Sequence, residues 1–330
     1  MTNKKHIGKY LIALFTCMCF ASSCTYDYFE DETNYIIYVP KVDANKRTDT
    51  YKIDDLKILI YTTSSFERER NSFSPFEDNA RSRVGDFNFK IFPGKHNVYC
   101  FSNISQVNFS DTESYEGAKF DLNKEGDYYR EPQAILLDKL EPDIIFPGPV
   151  KRDTSLFEHK YVGQICVACK QLEKIDNSLV ASNIKSVDIV ASGVGVKQPL
   201  SQITYNQNEA ISSRNSAQDR MFLTSTVYND PLPGRGFEFG FANYYFPSPI
   251  LPESEKNEPI RLELTFKDGS NQMLYKPMII DLVDKTTSEK IILHMNQILV
   301  IELDGSEVNI FELTDPLDWN PNIDQGETEF

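Results

Sequence analysis

The sharpest chemical signal in this chain is a pair of cysteines two residues apart, Cys166-Val-Ala-Cys169. That spacing can serve disulfide exchange or metal binding. Redox work wants the first thiol at a helix N-terminus, where the dipole lowers its pKa. The surrounding "YVGQICVACK" reads instead as a strand, and residues three apart on a strand point to opposite faces. A zinc site would need two further ligands at close spacing. No second CxxC and no HxxxH exists, and His96, His159 and His294 stand singly. Cys166 and Cys169 are therefore read as buried structural thiols, with no metal and no cofactor expected.

Carboxylates and glycines say no more about catalysis. Asp54-Asp55 and Glu30-Asp31-Glu32 sit in polar segments, where neighbouring acids read as a solvated face. "ASGVGV" at 191–196 lacks the following helix that a phosphate cradle needs, and no nucleophile elbow or kinase set is present. "FEFGFANYYF" is the densest aromatic cluster. Its alternation puts Phe237, Phe239 and Phe241 on one face, the pattern of a core rather than a sugar-stacking platform. No catalytic constellation emerges, so the chain is read as a binding or structural protein and not an enzyme.

One further cysteine has a different context. Lys4, Lys5 and Lys9 precede an uncharged stretch from Tyr10 to Phe20, then Ala21-Ser22-Ser23 and Cys24. A charged start, a short apolar run and small residues make a signal peptide. The run is too short for a permanent span, which needs roughly 20 apolar residues. Cys24 directly after the small residues resembles the bacterial lipoprotein pattern, in which the thiol is acylated, with palmitate among the chains, and becomes the mature N-terminus. The pattern departs from the usual at Ala21, where such signals carry Leu. Cys17 and Cys19 fit worse, their preceding residues being bulkier. With Cys24 acylated, Cys100, Cys166 and Cys169 remain, an odd number that cannot all pair internally; whether any two form a disulfide stays open.

The elements that must position these residues are strands. "DFNFKIF" sets Phe87, Phe89 and Ile91 against Asp86, Asn88 and Lys90, and "IRLELTF" sets Ile260, Leu262, Leu264 and Phe266 against Arg261, Glu263 and Thr265. Period-two alternation marks half-buried strands. "LKILIYT", "HNVYCFSN", "IKSVDIVA" and "ILVIEL" are weaker versions, while 134–140 and 281–290 are the best candidates for short helices. Asp268-Gly269 and Asp304-Gly305 predict two hairpins, since Asp-Gly suits the positive φ of a type I′ turn. The proline-rich "EPDIIFPGPVKRD" is the clearest break and suits a linker.

The expected organisation is signal peptide 1–23, tether 24–34, an N-terminal β-sandwich domain 35–149, a C-terminal β-sandwich domain 150–320 and a tail 321–330. Two domains also fit the length of 330 residues. The chain carries 34 basic and 49 acidic side chains. Residues 1–23 hold three lysines and no acid, so without them the balance is 31 against 49, or −18. That charge excludes a nucleic-acid partner, which demands a basic face.

Several of these segments together resemble the fimbrial anchor lipoproteins of Bacteroidetes, the FimB-type relatives of the fimbrillins. They are Cys24, "IDDLKILIYTTSSFERE", "FKIFPGKHNVYCFSN", "HKYVGQICVAC" with "IKSVDIVASGVG", and the closing "ILHMNQILVIELDGSEVNIFELTDPLDWN" with Asn296 and Trp319. The resemblance spans roughly residues 24–320. It implies an all-β chain of two transthyretin-like β-sandwich domains in tandem with few short helices, held to the outer membrane by lipid on Cys24 and facing the cell surface. Its partners would be fimbrial stalk subunits, joined by β-strand addition. The resemblance puts the donor region at or beside "VNIFEL", with Val308, Asn309, Ile310, Phe311 and Leu313. Related fimbrillin precursors are cut after an arginine, and Arg47 is the matching position; a cut there would make the chain a stalk or tip subunit. The competing reading is a surface glycan-binding lipoprotein serving an outer-membrane importer, which would need exposed aromatic platforms.

Overall fold

The computed structural model describes residues 33–40, 53, 55–65, 67, 84–157, 159–203, 212–213, 216–251 and 258–313. Their regular structure is almost all strand. Among the described residues the helical pieces are short 3-10 turns of three residues each. The chain is all-β, as the alternation predicts.

The first half forms β1 (Tyr35–Val39), β2 (Lys57–Thr62), β3 (Gly85–Phe89), β4 (Gly94–Ser102), β5 (Val107–Ser110), β6 (Lys119–Leu122), β7 (Lys124–Glu125), β8 (Tyr128–Tyr129), β9 (Leu136–Leu140), β10 (Asp143–Ile144), β11 (Lys151–Thr154) and β12 (His159–Lys160). β1 lies between β11, parallel, and β3, antiparallel. β4 is flanked by β2 and β9, with β10 at its start and β12 beyond β9. Tyr35, Ile37, Phe87 and Phe89 from one sheet meet Ile58, Ile60, Val98 and Cys100 from the other in a shared core. The second sheet buries its other face too, where Leu59, Tyr61, Tyr99 and Phe101 join a larger core. A strand without a wet face is apolar throughout, which is why "LKILIYT" alternates so weakly.

The second half forms β13 (Gly163–Lys170), β14 (Ser186–Ser192), β15 (Lys197–Pro199), β16 (Arg220–Thr226), β17 (Tyr228–Asn229), β18 (Phe239–Tyr245), β19 (Arg261–Lys267), β20 (Met278–Asp281), β21 (Ile298–Asp304) and β22 (Glu307–Glu312). One sheet runs β17-β18-β13-β21-β22 and the facing one β20-β19-β14-β16-β8-β7. Between them lie Val167, Phe239, Phe241, Ile301, Ile189, Leu223, Leu264 and Phe266, all buried. Each such side chain stabilises the fold by about 1.5–3 kcal/mol through removal from water.

The two halves share strands as well as core. β6 pairs β15, and Tyr129 of β8 pairs Met221 of β16. At the junction Phe120 packs edge-on against Phe101, Tyr161 and Phe246 with centroids 5.4, 5.0 and 5.5 Å away.

Several sequence expectations change here. The break placed at 149/150 does not part the strands: β11 pairs β1 and β12 pairs β9, so residues 151–160 build with the first half. The ladders divide more naturally between β12 and β13. Residues 136–140 are strand β9, because bonding to β4 outweighs their helical spacing. In 281–290 the Asp284 side chain accepts the amides of Thr286 and Thr287 at 2.7 and 2.8 Å, a local turn that competes with helix. Both predicted hairpins form, each with a shifted turn. Gly305, with φ 57, and Ser306 are the central pair between Asp304 and Glu307. After β19 the loop widens: Asn271 takes the left-handed conformation instead of Gly269, and the Asp268 carboxylate accepts the amides of Ser270 and Gln272.

Candidate functional site

The candidate donor segment is β22, the outermost strand of its sheet. It is held on one side by β21 from Leu299↔Glu312 to Asp304↔Glu307, and no described strand lies on its other side. Its side chains alternate. Val308 and Ile310 pack half-buried against the large core, whereas Phe311 and buried Leu313 join Cys166, Leu232 and Val300 on the opposite face of the sheet. Asn309 accepts from Lys285 Nζ at 3.1 Å. The Arg235 guanidinium sits 5.6 Å from the Phe311 ring centre and 3.6 Å from Glu302.

The backbone parity of this edge follows from one bond. The Leu313 amide donates to the Ile298 carbonyl at 2.9 Å. In an antiparallel ladder the residues that bond the partner alternate with those that do not. Glu307, Asn309 and Phe311 therefore turn their amides and carbonyls toward β21, and Val308, Ile310 and Glu312 turn theirs outward. An outward row of this kind is a ready template for another strand.

Cys24 and Arg47 lie outside the described residues, as do Asp54 and the Glu30-Asp31-Glu32 run. Cys166 and Cys169 fall on opposite faces of β13, in different cores, as strand geometry predicts. Both are buried and, like Cys100, free of disulfides. Burial pushes the thiols of Cys100 and Cys169 far up, which keeps them neutral and inert. Among the described residues no group of three His, Cys, Asp or Glu is placed to hold a metal, and no helix is long and apolar enough to cross a membrane.

Other candidates turn out to be structural. Asp55 is buried, not solvated, and its two carboxylate oxygens accept the Ile104 amide at 3.1 and 3.0 Å. In "ASGVGV" Gly195 is required for close approach, since a Cβ there would lie 1.8 Å from Ser212 Oγ. Phe239 and Phe241 share the large core, but Phe237, ahead of β18, joins the cluster on the other face. An exposed ring pair, Tyr128 and Phe222, is tilted by 54° at 5.8 Å. Rings so tilted do not present the single plane on which a sugar stacks.

Glu131 escaped the sequence reading. Its carboxylate accepts the Tyr244 amide at 2.8 Å and Asn243 Nδ2 at 3.0 Å, binding the first half to the edge of β18. Burial raises it from the ordinary 4.5 to about 7, against the lowering pull of those two hydrogen bonds.

Fold and site together define an all-β protein of packed sheets in which no described strand covers the outer edge of β22. No protein-family model matches the chain and no curated protein matches its sequence. Among solved structures the fold is similar to a candidate adhesin from Bacteroides ovatus, at 15% identity over 87% of this chain and 99% of that one, with a TM-score of 0.46. It is also similar to the tip fimbrial protein Mfa3 of Porphyromonas gingivalis, at 9% identity over 84% and 97%, with a TM-score of 0.43. The fimbrial anchor protein Mfa2 of the same organism gives 11% identity over 82% and 89%, with a TM-score of 0.41. At identities and scores this low, these likenesses say nothing of the chain's partners.

Proposed function

We propose that this chain is a structural, non-catalytic subunit of a surface fimbria, lipid-held at the outer membrane through Cys24, and that it joins stalk subunits by β-strand addition at β22. The observation that carries the reading is the outward backbone row of Val308, Ile310 and Glu312, on an edge that no described strand covers. Main-chain hydrogen bonds along such a row supply affinity, and alternate side chains set the register. Since β22 already completes its own sheet and buries Leu313, the geometry favours a neighbour's strand adding outside it over β22 leaving.

The test is Ile310→Pro. Proline at 310 removes an amide that faces outward and leaves the bonds to β21 in place. The variant is expected to be exported and folded but absent from sheared surface fibres, while Ile310→Val assembles normally. Normal assembly of a folded Ile310→Pro subunit would rule out this edge. Mass spectrometry of the mature N-terminus separates the roles: acylated Cys24 supports the anchor, whereas a start at Thr48 marks cleavage after Arg47 and a stalk or tip subunit.

A further inference from the structure

The first sandwich carries an exposed apolar tip beside the point where the chain enters it. Phe92 and Ile145 are 71% and 69% exposed, and Val150 and Phe146 are 49% and 40% exposed. These side chains come from two loops that β4 and β10 bring together. The antiparallel register pairs Asp143 with Lys95 and Ile144 with Gly94. The ladder ends there, so the loops 90–93 and 145–150 leave it from the same end. Val150 follows four residues on, just before Lys151 of β11.

The same end receives the N-terminal segment. Asn34 Nδ2 donates to the Ile91 carbonyl at 2.7 Å, and the Ile91 amide donates to Asn34 Oδ1 at 2.9 Å. The Lys151 amide donates to the Asn34 carbonyl at 3.0 Å. Asn34 is thus fastened between the two apolar loops, one residue from Phe92 and one from Val150. Nine residues separate it from Cys24, and the ten Cα–Cα steps between the two reach at most about 35 Å.

We propose that this tip, Phe92, Ile145, Phe146 and Val150, seats on the lipid bilayer into which the acyl chains of Cys24 insert. The proposal rests on acylation of Cys24 as read above. The short tether brings this end of the molecule to the membrane and no other apolar end need be invoked. Aromatic and aliphatic side chains on neighbouring loops suit the headgroup and acyl boundary. The chain as a whole is acidic, so the contact rests on its apolar side chains and not on attraction to anionic lipid. Seating fixes the first sandwich against the membrane and turns the subunit from a loosely tethered body into an oriented base.

The test uses the full acylated chain in phosphatidylcholine vesicles with and without brominated acyl chains. Phe92→Trp is made in a Trp319→Phe background, so that one tryptophan reports the tip. Met273→Trp and Ile279→Trp, at exposed positions of the second half, are the controls. Quenching of position 92 several-fold stronger than at 273 and 279, unchanged by added phosphatidylglycerol, is expected. Equal quenching at all three positions, or none at 92 while mass spectrometry shows acylated Cys24, overturns the seating and leaves the anchor standing. Unmodified Cys24 removes both. A concentration-dependent blue shift at position 92 without lipid gives the patch to a second copy of the chain and also overturns the proposal.

Discussion

Glu131 shows how one side chain ties the halves together and how pH reaches that tie. Its carboxylate spans 112 and 113 residues of sequence to Asn243 and Tyr244, so nothing in the local "REPQA" context announces it. Burial raises its pKa from 4.5 to about 7. Between those values the folded chain holds a proton that the unfolded chain has lost, so stability falls as pH rises through this window and flattens above it. After discounting for partial exposure, the loss is about 1–3 kcal/mol. Glu131→Gln should abolish that slope while keeping an oxygen for the Tyr244 amide. Urea unfolding at pH 5 and pH 8 checks it: an unchanged slope in the variant would assign the pH dependence to other groups.

Strands were legible in the sequence where one face is wet and obscure where neither is. β16 reads exposed-buried along its whole length and β19 does nearly the same, and "IRLELTF" announced itself. β2 is buried at every position but its last, and β13 at every position but its last. Such strands lose the polar half of the signal because layers pack on both sides. The hairpin ending in β22 was visible from its glycine and its alternation, but its place at the rim of the described sheet was not, since that depends on which distant strands pair with which. Burial on two faces has an energetic consequence. Ile58→Ala and Leu59→Ala point into different cores, and each should cost about 2–5 kcal/mol. Phe222→Ala, on the wet face of β16, should cost less than about 1 kcal/mol. Denaturant midpoints decide, and a tolerated change at either 58 or 59 would show that one face of β2 is not a true core.

For the whole molecule, the proline-rich stretch at 142–149 suggested two bodies on a linker, and strand pairing contradicts that simple picture. Proline and glycine mark an irregular connection equally well between domains and within one, so composition could not choose. The long-range ladders choose: β6 with β15, β8 with β16, and the core around Phe120 run across the junction. Halves that share strands and a core should unfold together. The chain carries its own reporters. Cys100 lies in the first sandwich core and Cys169 in the large core, and both are free and fully buried, so each thiol reacts only when its half opens. Labelling of Cys100 and Cys169 along a urea series should rise at one common midpoint. Phe120→Ala, which empties the junction between Phe101, Tyr161 and Phe246, should move both midpoints down together, by about 3–5 kcal/mol in unfolding free energy. Separate midpoints in the parent chain, or a shift confined to one thiol, would mean that the ladders across the junction are too weak to couple the halves. In that case the tip proposed to seat on the membrane and the β22 edge proposed to meet a fibre would belong to bodies that move independently, and the one could not orient the other.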